Sequence, residues 1–148
     1  MIPALLDVNV LIALFDPAHP NHDQAHDWFG ANHSKGWATC TITVNGCVRI
    51  LSSSSYPSFR VTPAAVINGL RQFCGSPFHS FWPDTTNLLD DSVFRPDLLP
   101  SHSSITDAAL LALACRNRGR LVTFDRSIPL RAVTIASPEH LCVIGTTV

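Results

Sequence analysis

Short apolar segments typical of β-strands alternate with segments typical of α-helices along the whole chain. Hydrophobic runs bounded by turn residues predict strands at residues 2–6, 37–44, 79–82, 120–125, 133–136 and 141–144. Helices are predicted between them, at residues 10–15, 22–29, 45–51, 62–74 and 106–118. This alternation predicts an α/β fold, a three-layer α/β/α sandwich with a mostly parallel central sheet.

Two of the predicted helices have recognisable ends. Thr62 is a good N-cap and is followed by Pro63, which suits the first helical position. The segment 106–118 is rich in Ala and Leu, Thr106 can cap its amino end, and Gly119 stops it. The segment 106–118 is therefore the clearest helix in the sequence.

The composition excludes several classes of protein. With 148 residues, of which 46% are hydrophobic and 14% charged, the chain suits one domain over residues 1–148 and is too apolar for disorder. Its apolar stretches fall far short of the ~20 residues that cross a bilayer, and no basic signal-peptide region begins it, so we expect a cytoplasmic protein. Five cysteines without a CxxC spacing predict reduced thiols in preference to a zinc site.

The acidic residues are ten aspartates and the single Glu139, and three of the aspartates lie at informative places. Asp7 ends the first predicted strand and Asp125 ends a later one. Because ligands of parallel α/β sheets bind beyond the carboxyl ends of the strands, we expect both side chains at that edge. Asp107 lies in the first turn of the helix 106–118, which follows a crossover and therefore starts at the same edge.

These three carboxylates predict a metal site. Carboxylates held together away from bulk water repel one another unless a cation lies between them. Oxygen ligands at an open edge suit Mg²⁺ or Mn²⁺, whose coordination is usually completed by water and phosphate oxygens. Each aspartate alone is more typical of a cap. Their conjunction in the most apolar parts of the chain favours a site formed by Asp7, Asp107 and Asp125.

Three segments resemble a known family: residues 5–14 (LLDVNVLIAL), 106–114 (TDAALLALA) and 121–126 (LVTFDR). Together they are similar to the PIN-domain endoribonucleases, most closely to the VapC-type toxins of VapBC toxin–antitoxin modules. The likeness runs over nearly the whole chain. It implies a metal-dependent RNase that inhibits translation and growth. By the same resemblance, the metal-site carboxylates are Asp7, Asp107 and Asp125, and the supporting polar groups are Asn9, Thr106 and Thr123.

The resemblance also implies partners. These are an RNA substrate, a second copy in a homodimer, and a cognate VapB-type antitoxin whose C-terminal segment occludes the acidic site. The apolar segments 47–51 and 66–70 are compatible with a hydrophobic groove for the antitoxin. They are equally compatible with the core.

One departure from the family pattern concerns residues 41–49. Family members usually carry a further acid there, most often Glu, whereas this chain has none. Asn45 is the one side chain of the segment that could present an amide oxygen to a cation or to its water, as a weak metal ligand. Weaker metal binding, a second metal recruited with the substrate, and reduced activity are all compatible with this change.

We expect metal-assisted hydrolysis of a phosphodiester, without a covalent nucleophile. Arg49 and Arg126 are RNA-binding candidates because a planar guanidinium binds phosphate in bidentate fashion, although solvated surface charge is an equally good interpretation. Since the net charge is -1, RNA affinity requires a local arginine patch and a second subunit. The candidates for that patch are Arg116, Arg118, Arg120 and Arg126.

Three alternatives compete with parts of this interpretation. His22 and His26 are spaced like the ligands of a zinc helix but lack a third ligand, and the start of a solvent-facing helix is the favoured interpretation. The segment 7–10 also resembles the strand-end motif of haloacid-dehalogenase-type phosphatases, with Asn9 where the general acid is expected and with Lys35, the only lysine, before the second strand. The third alternative is a catalytically weakened module that only binds RNA or an antitoxin.

Overall fold

Five parallel strands form one sheet in the computed structural model, which describes residues 2–145. The predicted domain 1–148 therefore includes four residues, 1 and 146–148, that lie outside the described part. The order of the strands in the sheet is β3-β2-β1-β4-β5, and each neighbouring pair is parallel. The strands are β1 (Ala4–Leu6), β2 (Trp37–Cys40), β3 (His79–Trp82), β4 (Arg120–Thr123) and β5 (Leu141–Val143).

Helices cover both faces of this sheet. They are α1 (Val8–Phe15), α2 (His22–Asn32), α3 (Thr41–Leu51), α4 (Pro63–Phe73) and α5 (Ile105–Arg116). Ala4 and Leu6 face the core that α1 to α4 form, whereas Leu5, between them, faces the core that α5 forms. The α/β/α sandwich with a parallel sheet is thus confirmed. Within the described residues no helix combines the length and hydropathy needed to cross a bilayer.

The predicted start of α4 is confirmed in detail. Thr62 is the N-cap, Pro63 is the first helical residue, and the Thr62 hydroxyl accepts a hydrogen bond from the Ala65 N–H at 3.1 Å. All five cysteines are free thiols.

The predicted strand 37–44 is wrong in its second half. The strand ends at Cys40, and Thr41 to Val44 form the first turn of α3. The β-branched residues suggested a strand, but the Thr43 hydroxyl accepts a hydrogen bond from the Cys40 N–H at 2.9 Å and so caps a helix instead.

The predicted strand 133–136 is also wrong. Val133 forms only an isolated antiparallel bridge with Phe94, and both side chains are buried against α5. Its apolar character reflects burial in the core and not membership of the sheet.

Both ends of α5 differ from the prediction. The N-cap is Ser104, so Thr106 is the second helical residue and not the cap. At the other end it is Arg118, with a φ of 56°, that adopts the left-handed conformation expected of glycine. Gly119 is needed for a different reason: a Cβ there would lie 2.6 Å from the carbonyl oxygen of Pro3.

Candidate active site

The three predicted aspartates come from three elements that meet at the carboxyl edge of the sheet. Asp7 directly follows β1 and is the N-cap of α1, with only 6% of its surface exposed. Asp125 lies two residues beyond β4, the neighbour of β1. Asp107 lies in the first turn of α5. The sequence predicted this arrangement, in which the ends of two parallel strands and the start of a helix lie at the same edge of the sheet.

The carboxylate of Asp7 is held by two hydrogen bonds. Its Oδ1 accepts the N–H of Val8 at 2.7 Å, and its Oδ2 accepts the hydroxyl of Thr123, also at 2.7 Å. These bonds lower the pKa of Asp7, but burial raises it by more, and the charge of Asp125 adds to the increase. The pKa of Asp7 therefore lies above the usual value for aspartate.

Thr123 is fully buried and joins three parts of the site. Besides donating to Asp7, its Oγ1 accepts the side-chain N–H of Asn9 at 3.0 Å and the backbone N–H of Asp125 at 3.0 Å. The Oδ1 of Asn9 accepts the N–H of Phe124 at 3.2 Å. Asn9 and Thr123 thus fix the segment after β4 against the start of α1.

Asp125 is oriented by Ser127, which sequence reasoning missed. The Oδ1 of Asp125 accepts both the N–H of Ser127 at 2.8 Å and its hydroxyl at 2.6 Å. The signal that could have identified this contact is the Asp-x-Ser spacing, which is typical of an Asx turn. One carboxylate oxygen is thus bound, and the other receives no hydrogen bond from the described residues.

Asp107 differs from the other two carboxylates because no described residue donates a hydrogen bond to its side chain. Burial, together with the charges of Asp7 and Asp125, raises its pKa from 3.8 to about 6. Since these charges act on Asp107, the three carboxylates are electrostatically coupled. No cation among the described residues lowers the pKa of Asp107 to offset this repulsion.

An open cleft of about 490 Å³ lies beside these carboxylates, between α1, α3 and the start of α5. Asp7 and Asp107 line it, together with Asn45 and Arg49 of α3. Asn45, Arg49 and Thr106 are all exposed, so a ligand in the cleft can reach them.

The close packing of α3 against α1 sets the width of this cleft. A Cβ at Gly46 would lie 2.8 Å from Cγ2 of Val8, a separation that requires the Val8 side chain or one of the two helices to shift. Gly46 therefore permits the approach that brings the neighbouring Asn45 to the same cleft as Asp7.

The chemistry of these side chains fits a hard divalent cation. The donor set consists of carboxylate and amide oxygens, and the carboxylate of Asp107 is left without a hydrogen-bond partner among the described residues. Within residues 2–145, no three acidic, histidine or cysteine side chains already have the geometry of a metal cluster.

The predicted arginine patch is mostly wrong. Arg120 begins β4 and pairs with Ala4, so it lies at the amino edge of the sheet, opposite Asp125. Its guanidinium lies 5.7 Å from the ring centre of Trp28. Arg116 and Arg118 lie at the carboxyl end of α5, again away from the site. The prediction failed because residues near in sequence are separated by the length of a helix or strand.

Of the two remaining arginines, Arg49 lines the cleft and Arg126 does not. Arg126 is exposed and directly follows Asp125, so it lies near the site without forming its wall. Arg49 is therefore better placed to meet a bound phosphate.

The two histidines of α2 stabilise the end of α1. A ring N–H of His22 donates to the carbonyl of Ala13 at 2.7 Å, and one of His26 donates to the carbonyl of Leu14 at 3.1 Å. These carbonyls belong to the last turn of α1, which lacks intrahelical partners. The four-residue spacing of His22 and His26 therefore lets both rings cap the end of α1.

The segments 47–51 and 66–70 belong largely to the core. Cys47, Leu51, Val66 and Leu70 are all at least 93% buried in the cluster between α1 to α4 and the sheet. Of the two interpretations left open for these segments, the core is the one that the structure favours.

Comparisons with known proteins agree on one family. A family model described as PIN domain matches residues 4–133, a span that includes all three aspartates. Ribonuclease VapC44 of Mycobacterium tuberculosis (strain ATCC 25618 / H37Rv) is 45% identical over 141 residues, which cover 95% of this chain and 99% of that protein. Ribonuclease VapC39 of the same strain is 46% identical over 125 residues, with coverages of 84% and 90%. Ribonuclease VapC38 is 41% identical over 133 residues, with coverages of 84% and 86%.

Proposed function

The chain belongs to the PIN domain family, among its VapC-type members, and on this premise we propose that it is an endoribonuclease toxin that hydrolyses RNA phosphodiester bonds with Mg²⁺ or Mn²⁺. The observation that carries the proposal is the convergence of three electrostatically coupled aspartates beside an open cleft. The relatives are named ribonucleases and match this chain over nearly their full length, which supports the same activity.

Asp7, Asp107 and Asp125 would hold the divalent cation. When bound, such a cation supplies Lewis-acid polarisation of the phosphate and activation of water. Binding of a cation would also relieve the repulsion that raises the pKa of Asp107. Asn45 would contribute an amide oxygen to the ion or to its water, without the negative charge of a further acid.

The remaining residues position these groups and the substrate. The N–H of Val8 and the hydroxyl of Thr123 fix the orientation of Asp7 and favour its ionised form against the larger effect of burial. Ser127 orients Asp125 in the same way. Arg49 would bind a phosphate of the RNA from the opposite wall of the cleft. No covalent nucleophile is required.

The structure argues against the phosphatase alternative. A general acid at position 9 would have to be free to meet the substrate, but both ends of the Asn9 amide are engaged, with Thr123 and Phe124. Lys35 precedes β2 and therefore lies at the amino edge of the sheet, opposite the aspartates.

We further propose that the protein acts in the cytoplasm, where it inhibits translation and is neutralised by a VapB-type antitoxin, and that it forms a homodimer. The VapC names of the relatives support these partners. Three large apolar side chains of α4 and the β3 edge, Ile67, Phe78 and Phe81, are 41–51% exposed and are available for a protein contact.

Cleavage of RNA by the purified protein tests the proposal. We expect fragments in Mg²⁺ or Mn²⁺, none in EDTA, and at least about a hundredfold loss of rate in Asp7→Asn and Asp107→Asn. Asp97→Asn is the matched control, since this exposed aspartate lies in a short 3-10 helix and does not line the cleft, and its rate should equal that of the wild type. Equal rates in all four proteins would refute the assigned site. RNA that is bound but never cut would instead support the non-enzymatic alternative.

A further inference from the structure

A second cleft, of about 350 Å³, adjoins the catalytic cleft at the start of α5. The two clefts share Ile42 and Thr106, so their walls are continuous. We name the second one the Leu88 cleft. Its apolar walls include Ile42, Leu88, Ile105 and Leu113, and its polar rim includes Asp84 and Thr86.

The rim of the Leu88 cleft presents a hydrogen-bond acceptor. The Oδ1 of Asp84 accepts the N–H of Thr86 at 3.2 Å and also the Thr86 hydroxyl. Its Oδ2 receives no hydrogen bond from any described residue. A ligand that fits both features has an apolar face and an N–H donor at its edge.

The position of the cleft relates it to the RNA substrate. A phosphodiester held at Asp7 and Asp107 would lie in the cleft that Arg49 also lines, and the Leu88 cleft shares Ile42 and Thr106 with that cleft. The neighbouring nucleotide would therefore lie beside the Leu88 cleft. A volume of about 350 Å³ is near the lower limit for small-ligand pockets, which suits one base and excludes a helical stem.

We propose that the Leu88 cleft binds one unpaired base next to the scissile phosphate and prefers a base that carries an exocyclic amino group. This inference rests on the proposed function. The exocyclic amino group of cytosine, adenine or guanine can donate to the Asp84 carboxylate, whereas uracil has no such group and the carbonyl oxygen at the position of the cytosine amino group is repelled by it. Unstacked bases of single-stranded RNA are the usual targets of such recognition.

Sequencing of the ends released from a randomised single-stranded RNA pool tests this preference. At one position beside the cut, the wild type should favour cytosine over uracil by about tenfold. Asp84→Asn replaces an acceptor with an amide that can also donate, so the preference should weaken or shift towards uracil. Asp97→Asn makes the same chemical change at an exposed residue of a short 3-10 helix outside both clefts and should retain the wild-type preference.

A second pair of measurements separates recognition from chemistry. On a substrate with cytosine at that position, Asp84→Asn should raise KM and leave kcat within about threefold, because Asp84 lies outside the three-aspartate site. Replacing cytidine by uridine in the same oligonucleotide should reproduce this effect in the wild type and have little effect in the variant.

The outcomes distinguish this inference from the proposed function. If the wild type cleaves the pool but Asp84→Asn has the same base preference, the base-binding role of the cleft is refuted while the ribonuclease activity stands. If Leu88→Ser weakens binding of the antitoxin and leaves cleavage and base preference unchanged, the cleft docks a protein and the inference is again wrong. If the wild type cleaves no RNA, both the proposed function and the inference fail.

Discussion

Removal of the carboxylate of Asp107 should stabilise the protein when no metal is present. The side chain accepts no hydrogen bond from the described residues, and the charges of Asp7 and Asp125 oppose its ionisation. Asp107→Asn keeps the size of the side chain and removes this repulsion. A carboxylate that an active site holds beside like charges is expected to lower the stability of the fold.

The size and the pH range of the effect follow from the pKa. Burial and the neighbouring charges raise the pKa of Asp107 to about 6 from 3.8. Two units correspond to about 3 kcal/mol for a fully buried group, and screening at this partly exposed side chain reduces the figure to about 1 kcal/mol. Because the pKa of Asp107 is higher in the folded state, protonation of this side chain stabilises the fold. This stabilisation is complete below pH 3.8 and is lost as the pH rises through about 6.

Urea unfolding followed by tryptophan fluorescence in EDTA measures this effect. Asp107→Asn should exceed the wild type by about 1 kcal/mol at pH 7.5 and match it near pH 4. Added Mg²⁺ should raise the stability of the wild type more than that of the variant. Asp90→Asn is the control, because the pKa of Asp90 is shifted in the opposite direction. The hydroxyl and N–H of Ser92 lower it, so this variant should not be stabilised. A less stable Asp107→Asn at pH 7.5 would refute the reasoning.

Three further predictions concern the surroundings of the site. Thr123→Val should lower the free energy of unfolding by about 2–4 kcal/mol and abolish most of the activity. Thr39→Val, which loses a partly buried hydrogen bond to His79 outside the site, should lower the free energy of unfolding by about 1 kcal/mol and leave cleavage unchanged; urea unfolding and RNA cleavage measure both. Asn45→Asp should raise Mg²⁺ affinity about tenfold by calorimetry, and unchanged affinity would exclude this side chain from the site. Gly46→Ala should destabilise the protein by about 1 kcal/mol through overpacking, while Gly30→Ala, whose Cβ would meet no atom within 4 Å, should stabilise it slightly. A higher Tm for Gly46→Ala than for Gly30→Ala would contradict the close packing of α1 and α3.

The convergence of the three aspartates follows from rules that act on sequence alone. Asp7 and Asp125 follow strands that the structure places side by side, and the parallel arrangement brings their carboxyl ends to one edge. The start of α5 lies at the same edge because a right-handed crossover returns the chain there. These features depend on the order of the elements and not on details of packing.

Other features depend on contacts that no local pattern reveals. The segment 41–44 has a strand-like composition, yet the hydroxyl of Thr43 caps a helix that packs against α1. The nine arginines could not be assigned to the site from proximity in sequence, since Arg49 reaches it through the packing of α3 while Arg120 is a strand length away. Tertiary contacts decided both cases.

The first strand of the chain lies in the middle of the sheet, and this arrangement sets the time at which the site can form during synthesis. Asp7 is made early, but the hydroxyl that orients it belongs to Thr123, 116 residues later. A nascent chain that has not yet released β4 from the ribosome therefore carries Asp7 without the partner that orients it and without Asp125. The assembled site therefore exists only after β4 has been synthesised, so an antitoxin of the kind proposed above can be present before the carboxylates come together.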